Sequence, residues 1–536
     1  MTPDVEQTAE QNVAPPHVEL RFGVLLALMV VLYALLAWQF WLPYWIPKAR
    51  VTIGTVTDRS LSGAGLLALT GTTLYVLYIA GAVVLWRWSQ LRRADSLVWG
   101  GALLSVGILL LAYPVTSTDV FDYIFRSRMA FIYGANPYLA LPNQFKQDPF
   151  FSYVGWPNAP SAYGPLWENV SWTLSWIGGS SVLRTVLLYK GLAIAAYVLC
   201  AELINRLVRH PQRKLLGVYL WLWSPLALWE FAAVGHNDGF LALSLLGALW
   251  GVRHERYWLA VLALIAGALF KFLPVIFIPL VALRWMQQQS SWYRRGLVVG
   301  AVFVLCAVPT VVLYAPYWDL PSSFGQLSFG QQIQAIWNGG ETTLRNVSVR
   351  SNLLHAAPMA VISYLLQQPA SLETINTILS QAASARAKAE DVRTAVSSFE
   401  SVLLVVGLLW QSWHVWFRQR DLHSAFWGLL LWYLLCASQW FHSWYLLWPL
   451  ALLAIRPERR SFAWLTAWAL MAQASYLLQF IILPNLRIKG PSLEAQTYYV
   501  LLIYPLPLLV WLLMTKHWQG GANWRGWTRR LWQPAR

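Results

Sequence analysis

Charged side chains are scarce in this sequence. They make up 12% of its 536 residues, whereas hydrophobic residues make up 57%. A soluble domain carries about 25% charged residues, so this chain has too few of them to cover a water-facing surface of its size. The scarcity excludes an ordinary soluble protein and indicates that much of the surface faces lipid.

Cysteine is also rare, and the common metal and nucleotide motifs are missing. Cys200, Cys306 and Cys436 all lie in apolar segments, which indicates small core side chains rather than disulfides or a metal cluster. The sequence contains no HExxH, CxxC or phosphate-binding loop motif, and no DxD motif on a soluble domain. We therefore expect no metal and no cofactor.

The charge that is present has one dominant sign, with a net value of +16. No basic stripe lies on a soluble domain, so we expect no nucleic-acid partner. Basic residues of membrane proteins mark cytoplasmic loops and anionic headgroups, and a lipid bilayer is the partner that this composition indicates.

Apolar segments of nearly membrane-spanning length fill most of the chain. They lie at about 22–46, 64–88, 96–113, 184–207, 215–234, 239–252, 257–272, 273–287, 296–316, 400–417, 424–440, 443–455, 461–484 and 496–515. Several are short, so the sequence predicts an all-α polytopic membrane protein with about 12–14 transmembrane helices. We divide it into a polar tail at 1–21 that is not a signal peptide, one transmembrane domain at 22–515, and a basic tail at 516–536.

Clusters of Lys and Arg follow alternate spans, all on one side of the predicted bundle. By the positive-inside rule that side is the cytoplasm, so both termini are predicted to be cytoplasmic and the protein to lie in an inner (plasma) membrane. Two long segments, 114–183 and 317–399, then lie outside, and segments of this length are usually functional or disordered. Short apolar stretches within them, 165–177 and 353–367, are predicted to lie along the membrane surface or to re-enter it.

Two carboxylates, Asp119 and Asp122, stand in the sequence TDVFDY just beyond the third predicted span. Their spacing places them on one face of a helix, and a carboxylate at a membrane interface is costly unless it has a partner or a function. One interpretation is an ion-pair network with Arg126 and Arg128. The other is glycosyl transfer, in which an aspartate accepts the proton of an acceptor hydroxyl that attacks an anomeric carbon.

Further motifs follow in a distinctive order. They are GANPY at 134–138, SAYGPL at 161–166, GHNDG at 235–239, FKFLP at 270–274 and WFHSWYLLWPL at 440–450. In this order, from about residue 96 to the C-terminus, they resemble the GT-C glycosyltransferases, and most closely the bacterial polyprenyl-phosphate-mannose-dependent α-mannosyltransferases. The resemblance implies a GT-C-like bundle with external juxtamembrane helices and a catalytic aspartate in the first large external loop, which is Asp119 by motif. In many members that loop follows the first span, whereas here it follows the third, and two extra N-terminal helices would explain the difference. The departure leaves open whether Asp119 or Asp122 is the base.

The GHNDG and FKFLP motifs contribute candidate substrate-binding residues. His236 and Asp238 either bind sugar hydroxyls or orient the acceptor, and the alternative is that Asn237 or Asp238 caps the next helix. Lys271, which is followed by the helix-breaking Pro274, either snorkels to the interface or binds a phosphate.

The remaining candidates lie in the external segments. Arg345 and Arg350 either bind a phosphate through their guanidinium groups or belong to a solvated loop. The aromatic cluster at the 440 tip either binds a sugar or anchors the protein at the membrane interface. The side chains that complete the predicted substrate-binding set are Tyr123, Arg126, Tyr163, His442, Trp444 and Tyr445.

The predicted function is the inverting transfer of a sugar from a polyprenyl-phosphate donor to a glycan or glycolipid acceptor at the outer face of the membrane. Mannose as the sugar follows from the resemblance. Two other classes stay open, namely a transporter or flippase of a lipid-linked sugar, which would require broken helices and charges near the bilayer midplane, and a purely structural membrane subunit.

Overall fold

A computed structural model describes residues 14–88, 91–317, 399–438, 441–488 and 493–519. Within these ranges the regular structure is helical, and the one β contact is an isolated bridge between Trp41 and Ala112. The prediction of an all-α polytopic fold is confirmed. Arg345, Arg350 and the segment 353–367 lie outside the described residues.

The helices of the first half are α1 (Pro16–Gln39), α2 (Leu61–Arg87), α3 (Ala94–Leu110), α4 (Asp119–Tyr133), α5 (Pro165–Gly178), α6 (Val182–Leu207), α7 (Pro211–Leu222), α8 (Pro225–Val234), α9 (Asp238–Arg253), α10 (Tyr257–Phe270), α11 (Leu273–Gln287) and α12 (Trp292–Tyr314). The later ones are α13 (399–417), α14 (Leu422–Ala437), α15 (Ser443–Ile455), α16 (Arg459–Asn485), α17 (Leu493–Ile503) and α18 (Pro505–Gln519).

Local signals explain where several helices begin. Helices α2, α6, α12 and α14 each follow a polar residue whose side chain accepts a backbone N–H bond from the first turn, namely Ser60, Ser181, Ser291 and Asp421. Helices α1, α5, α7 and α8 begin at a proline, whose missing N–H and fixed φ suit the first helical position.

Five helices of the described chain, α1, α2, α6, α12 and α16, are long and apolar enough to cross a bilayer alone, and α17 and α18 together provide a sixth candidate span at Thr497–Thr515. Helices α7 and α8 form a seventh if the two cross together. Five further apolar helices have only 10–17 residues. They lie where spans were predicted, so the predicted range of about 12–14 spans includes helices below the usual spanning length.

Two predicted spans are interrupted. The span predicted at 215–234 bends by 47° between α7 and α8, where the Ser224 hydroxyl accepts a bond from the amide of Ala227 and Pro225 starts the second half. The span predicted at 496–515 is divided before Pro505. In both places the proline has no N–H to donate to the preceding turn.

Polar and charged residues lie at both ends of the group formed by α4, α5, α6, α9, α10 and α15. Helix α9 packs against α6, α10 and α15, and α4 packs against α5 and α6. The starts of α4, α9 and α15 meet at one end of this group, whereas the ends of α6, α9 and α15 carry arginines at the other. Helix α5, predicted as an apolar surface segment, buries Trp167 and exposes Trp172 and Trp176, as an interfacial helix would.

Candidate active site

The two aspartates at the start of α4 have different partners. Asp122 Oδ1 accepts bonds from the Trp156 amide at 3.0 Å and from Arg126 Nη1 at 3.3 Å. Asp122 Oδ2 accepts bonds from Thr118 Oγ1 at 3.0 Å and from the Gly155 amide at 3.2 Å. Both oxygens therefore hold the loop at 155–156 against α4. The ion-pair interpretation is confirmed for Asp122 with Arg126, but it is wrong for Arg128, whose Nη2 lies 2.9 Å from Oδ2 of Asp148.

Burial is the main influence on the pKa of Asp122, which rises to about 6. The negative charge of Asp119 raises it further, whereas the Arg126 guanidinium and the Trp156 amide oppose the rise. Asp122 therefore takes up a proton before Asp119 as the pH falls.

Asp119 begins a chain of ionisable groups that leads into the protein. Its Oδ2, on a side chain that is 15% exposed, lies 3.6 Å from Nε2 of the fully buried His236. Nδ1 of His236 lies 2.9 Å from Oε2 of Glu230. Oε1 of Glu230 accepts hydrogen bonds from Ser443 Oγ and from the Tyr476 hydroxyl, each at 3.0 Å. The site is thus a carboxylate–imidazole–carboxylate chain whose outer carboxylate is the accessible one.

The charges along this chain stabilise one another. Burial alone would lower the pKa of His236, but its hydrogen bond with Glu230 and the negative charges of Glu230 and Asp119 raise it to about 9. Burial alone would raise the pKa of Asp119, but the nearby charge of His236, the charge of His442 and a bond with Ser117 hold it well below its usual range. At neutral pH, Asp119 is therefore ionised next to an imidazolium.

A tight turn brings His236 over Glu230. Helix α8 ends in a π-helical turn over Trp229–Val234, and Gly235 follows with φ of +84°. The amides of Gly235 and His236 both donate to the Glu230 carbonyl, at 3.1 and 2.9 Å. A side chain at Gly235 would also lie 2.9 Å from Cγ of Lys190. Only glycine meets both the positive φ and the close approach.

Lys190 is fully buried below this turn. Its Nζ donates to the carbonyls of Leu109, Leu110 and Ala112 at 3.2, 2.6 and 2.7 Å. These carbonyls lie at the end of α3 and just beyond it, so the ammonium caps the C-terminal end of that helix. Lys190 and Glu230 were not predicted as site residues, and the signal available for each in the sequence was a lone charge within an apolar segment.

Aromatic rings fix the two histidines of the site. The ring of Trp444 lies 4.0 Å from that of His236 and 4.0 Å from that of His442, with interplanar angles of 30° and 6°. Two rings cannot both lie at this distance on one face of the indole, so both faces of Trp444 are covered. The geometry therefore does not support sugar stacking on Trp444.

Lys271 lies at the end of α10, beside the carboxylate–imidazole–carboxylate chain of Asp119, His236 and Glu230. Its Nζ donates to both oxygens of the buried Asp238, at 2.9 and 3.1 Å. It also lies 4.9 Å from the ring centroid of Tyr445 and 5.7 Å from that of Trp448, within reach of cation–π attraction. The side chain is 20% exposed, so the ammonium lies in the site rather than snorkelling away from it.

Asp238 and Asn237 begin α9 without capping it through their side chains, so the capping interpretation is wrong. Asn237 Oδ1 instead accepts a bond from the Tyr123 hydroxyl at 3.4 Å, and the Tyr163 hydroxyl lies 3.5 Å from that of Tyr123. Burial raises the pKa of both tyrosines, and the charges of Asp119 and Asp238 raise each further. The two phenols therefore stay protonated, near both carboxylates.

Among the predicted site residues of the described chain, the structure brings together Asp119, Tyr123, Tyr163, His236, Asp238, Lys271, His442, Trp444 and Tyr445. Arg126 lies apart from this group. Its guanidinium is buried and donates to Asp122 and to the Ala159 carbonyl at 3.0 Å. The expectation that no metal or cofactor takes part stays a prediction.

Fold and site together define a polytopic α-helical membrane protein with a charged, aromatic-lined site where several helices begin. A family model described as "Alpha-(1->6)-mannopyranosyltransferase, N-terminal domain" matches residues 20–287, half of the chain. The chain belongs to this family of mannosyltransferases, and the resemblance stated above is confirmed. The match includes α1 and α2 as well as TDVFDY, GHNDG and Lys271, whereas WFHSWYLLWPL lies beyond it.

One curated relative is GPI mannosyltransferase 1 of Aspergillus fumigatus, which is 23% identical over 190 residues. The aligned region covers 34% of this chain and 41% of the relative, so the chain matches less than half of that protein's length. No solved structure matches the chain.

Proposed function

We propose that this protein transfers a mannosyl group from a polyprenyl-phosphate donor to a glycan or glycolipid acceptor at the external face of the membrane, with inversion at the anomeric carbon. The observation that carries the proposal is the accessible Asp119 carboxylate, held 3.6 Å from the His236 imidazole. Family membership supports the mannosyl group, and the site beside apolar helices supports a lipid-linked donor.

The proposed reaction is a single displacement. The oxygen of an acceptor hydroxyl attacks the anomeric carbon, and a new C–O bond forms on the face opposite the leaving group. The bond from that carbon to the phosphate oxygen breaks, and the electron pair leaves with the polyprenyl phosphate. The hydroxyl becomes acidic as its oxygen gains positive charge, so the weakly basic Asp119 carboxylate is able to accept its proton.

Lys271 is the proposed partner of the leaving phosphate. A compact ammonium has three N–H donors, and the two bonds that it makes here go to one carboxylate. Negative charge grows on the phosphate oxygen in the transition state, and a nearby cation stabilises that charge. Tyr445, beside Lys271, is the aromatic side chain that we propose contacts the sugar.

Replacing Lys271 by methionine is expected to raise the KM for the lipid donor by about tenfold to a hundredfold, because hydrogen bonds to charged groups contribute about 1.5–3 kcal/mol. The measurement is donor-dependent transfer kinetics in lipid. The double variant Asp238→Asn/Lys271→Met leaves no unpaired buried carboxylate, and we expect it to fold while keeping the high KM. Lys146→Met, which changes an exposed lysine, is the control, and an unchanged KM in both Lys271 variants would contradict the assignment.

The pH profile tests His236. Its pKa of about 9 lies above the ordinary histidine value of 6.5, so the contribution of its positive charge to stability is fully present below about pH 6.5 and is lost as the pH rises through about 9. We expect kcat/KM to fall above about pH 9, when Asp119 loses its cationic neighbour. In His236→Gln this alkaline decline should disappear, whereas His254→Gln, at the far end of α9, should keep it. A decline unchanged in His236→Gln would mean that another group causes it.

The direct test is a transfer assay with the purified protein in lipid vesicles, a radiolabelled polyprenyl-phosphate-mannose donor and a mixed glycan extract. Transfer from the lipid donor but not from a nucleotide-linked mannose supports the donor class, and an α-linked product from a β-linked donor, identified by NMR, supports inversion. Transfer only from the nucleotide donor would refute the donor assignment. No transfer from any lipid-linked sugar would favour the transporter interpretation.

A further inference from the structure

A cavity of about 740 Å³ opens at the other end of the helices that carry the candidate active site. It lies where α6 ends, α7 begins, α9 ends and α15 ends. From Asp238 to Arg253, α9 has 16 residues, which corresponds to about 24 Å. The cavity is therefore separate from the candidate active site around Asp119, and it lies on the arginine-rich side that the sequence predicts to be cytoplasmic.

Five arginines from four separate segments converge on this cavity, namely Arg209, Arg213, Arg253, Arg284 and Arg456. Two carboxylates also line it, Asp421 and Glu458. Asp421 is neutralised, since its Oδ1 lies 2.7 Å from Arg456 Nη2. The cavity thus keeps an excess of positive charge, and a cavity lined by one sign of charge concentrates ions of the opposite sign.

Backbone contacts hold three of these arginines in place, and Arg213 Nη1 donates to the Pro457 carbonyl at 3.4 Å. Arg253 Nη1 donates to the carbonyls of Arg206 and Leu207 at 2.8 and 3.0 Å. Arg284 Nη2 donates to the Arg420 carbonyl at 2.6 Å. Their guanidinium groups are therefore positioned in advance, with donors left for a ligand, which distinguishes them from basic side chains that are spread over a solvated surface.

The deeper wall of the cavity is apolar. Leu207, Leu249, Leu422 and Ile455 line it and are nearly fully buried. A cavity with an arginine rim and an apolar wall, placed where helices end, matches an amphiphile with a phosphate headgroup. Basic pockets between helices on this side of a membrane are suited to anionic lipid headgroups.

We propose that this cavity is a second binding site, for the phosphate group of an anionic membrane lipid. It requires neither the sugar donor nor the acceptor, and it stands independently of the proposed transfer reaction. The guanidinium groups of Arg209 and Arg213, which lie on the exposed rim, bind the phosphate together with Arg253 and Arg284.

The test measures lipid binding to the purified full-length protein in neutral detergent, from the shift in melting temperature as short-chain phosphatidylglycerol is added. Removing two cations should cost a surface-bound headgroup about 2 kcal/mol, so Arg209→Gln/Arg213→Gln is expected to raise the Kd about thirtyfold. The matched control, Arg93→Gln/Arg294→Gln, removes two exposed arginines outside the cavity and should leave the Kd within about twofold.

Two further arms identify the ligand. Phosphatidylcholine, which has no net charge, should give no arginine-dependent shift. If inorganic phosphate gives the same arginine-dependent shift as phosphatidylglycerol, the site binds a free phosphate group rather than a lipid, and the lipid assignment is overturned. Equal phosphatidylglycerol binding by wild type, cavity variant and control would overturn the site itself.

Should the double variant fail to fold, each single variant is expected to raise the Kd about fivefold, and no rise in either would also overturn the site.

Discussion

Asp119→Asn is expected to lower the rate of mannosyl transfer by about 10³-fold, within the range that general acid–base groups contribute. An amide cannot accept the hydroxyl proton, although it matches the carboxylate in shape. The measurement is kcat for the lipid donor in vesicles, together with the melting temperature. We expect the protein to stay folded with a modest fall in melting temperature, because the amide removes one of the two negative charges beside the His236 imidazolium while Glu230 keeps the other. Activity near the wild-type value would refute the assignment of the base.

Asp122→Asn is the contrasting variant, three residues along the same helix. It leaves the buried Arg126 guanidinium without its ion-pair partner, and the loss of one partner of a buried pair costs about 3 kcal/mol or more. We expect a clear fall in melting temperature, with kcat reduced only as far as the folded fraction falls. If Asp122→Asn lost transfer while keeping its stability, the two aspartates would have to exchange roles.

Gly164→Ala is the second substitution with a large expected effect. The Gly164 amide donates to the Phe270 carbonyl at 3.0 Å, and a Cβ atom there would lie 2.2 Å from the Leu269 carbonyl oxygen and 2.4 Å from its carbon. These are backbone atoms that no side-chain rotation can move. The added methyl group must therefore push away the end of α10, which holds Lys271.

We expect this variant to lose about 1–3 kcal/mol of unfolding free energy and about 10²-fold in kcat/KM, since a displacement of about 1 Å in a site can cost that much. The measurements are thermal unfolding and transfer kinetics. Gly191→Ala, within α6 and with no atom within 4 Å of the added Cβ, should be neutral or slightly stabilising. Equal behaviour of the two variants would show that the contact between the YGP turn and α10 is unimportant.

Local sequence pattern was sufficient for much of the fold. Long apolar runs predicted α2, α6 and α16 within three residues and α1 within seven, because the lipid environment requires continuous backbone hydrogen bonding. The interruptions were harder to predict. Pro225 and Pro505 stand within apolar runs that read as single spans, and a proline within a span kinks it in one protein and ends it in another, according to the neighbouring helices.

The site was predicted in part, and the missing residues share one property. Asp119, His236, Asp238 and Lys271 belong to short motifs, so their order along the chain was enough to select them. Glu230 gains its role from Ser443 and Tyr476, which are 213 and 246 residues away in sequence. No local periodicity reports contacts of that separation, and the π-helical turn that aims Glu230 at His236 has no simple sequence signature.

The shortness of α10 determines the depth at which the phosphate would be held. From Tyr257 to Phe270 it has 14 residues, which is about 21 Å, against a hydrocarbon thickness of about 30 Å. If α10 begins at the arginine-rich surface of the hydrocarbon layer, Lys271 lies roughly 9 Å below the opposite surface of that layer. A donor held by Lys271 would then keep its phosphate below the headgroups, while the acceptor descends to it from water. Transfer would respond to bilayer thickness, so a series of phosphatidylcholine vesicles with lengthening acyl chains should change the KM of the acceptor more than that of the donor.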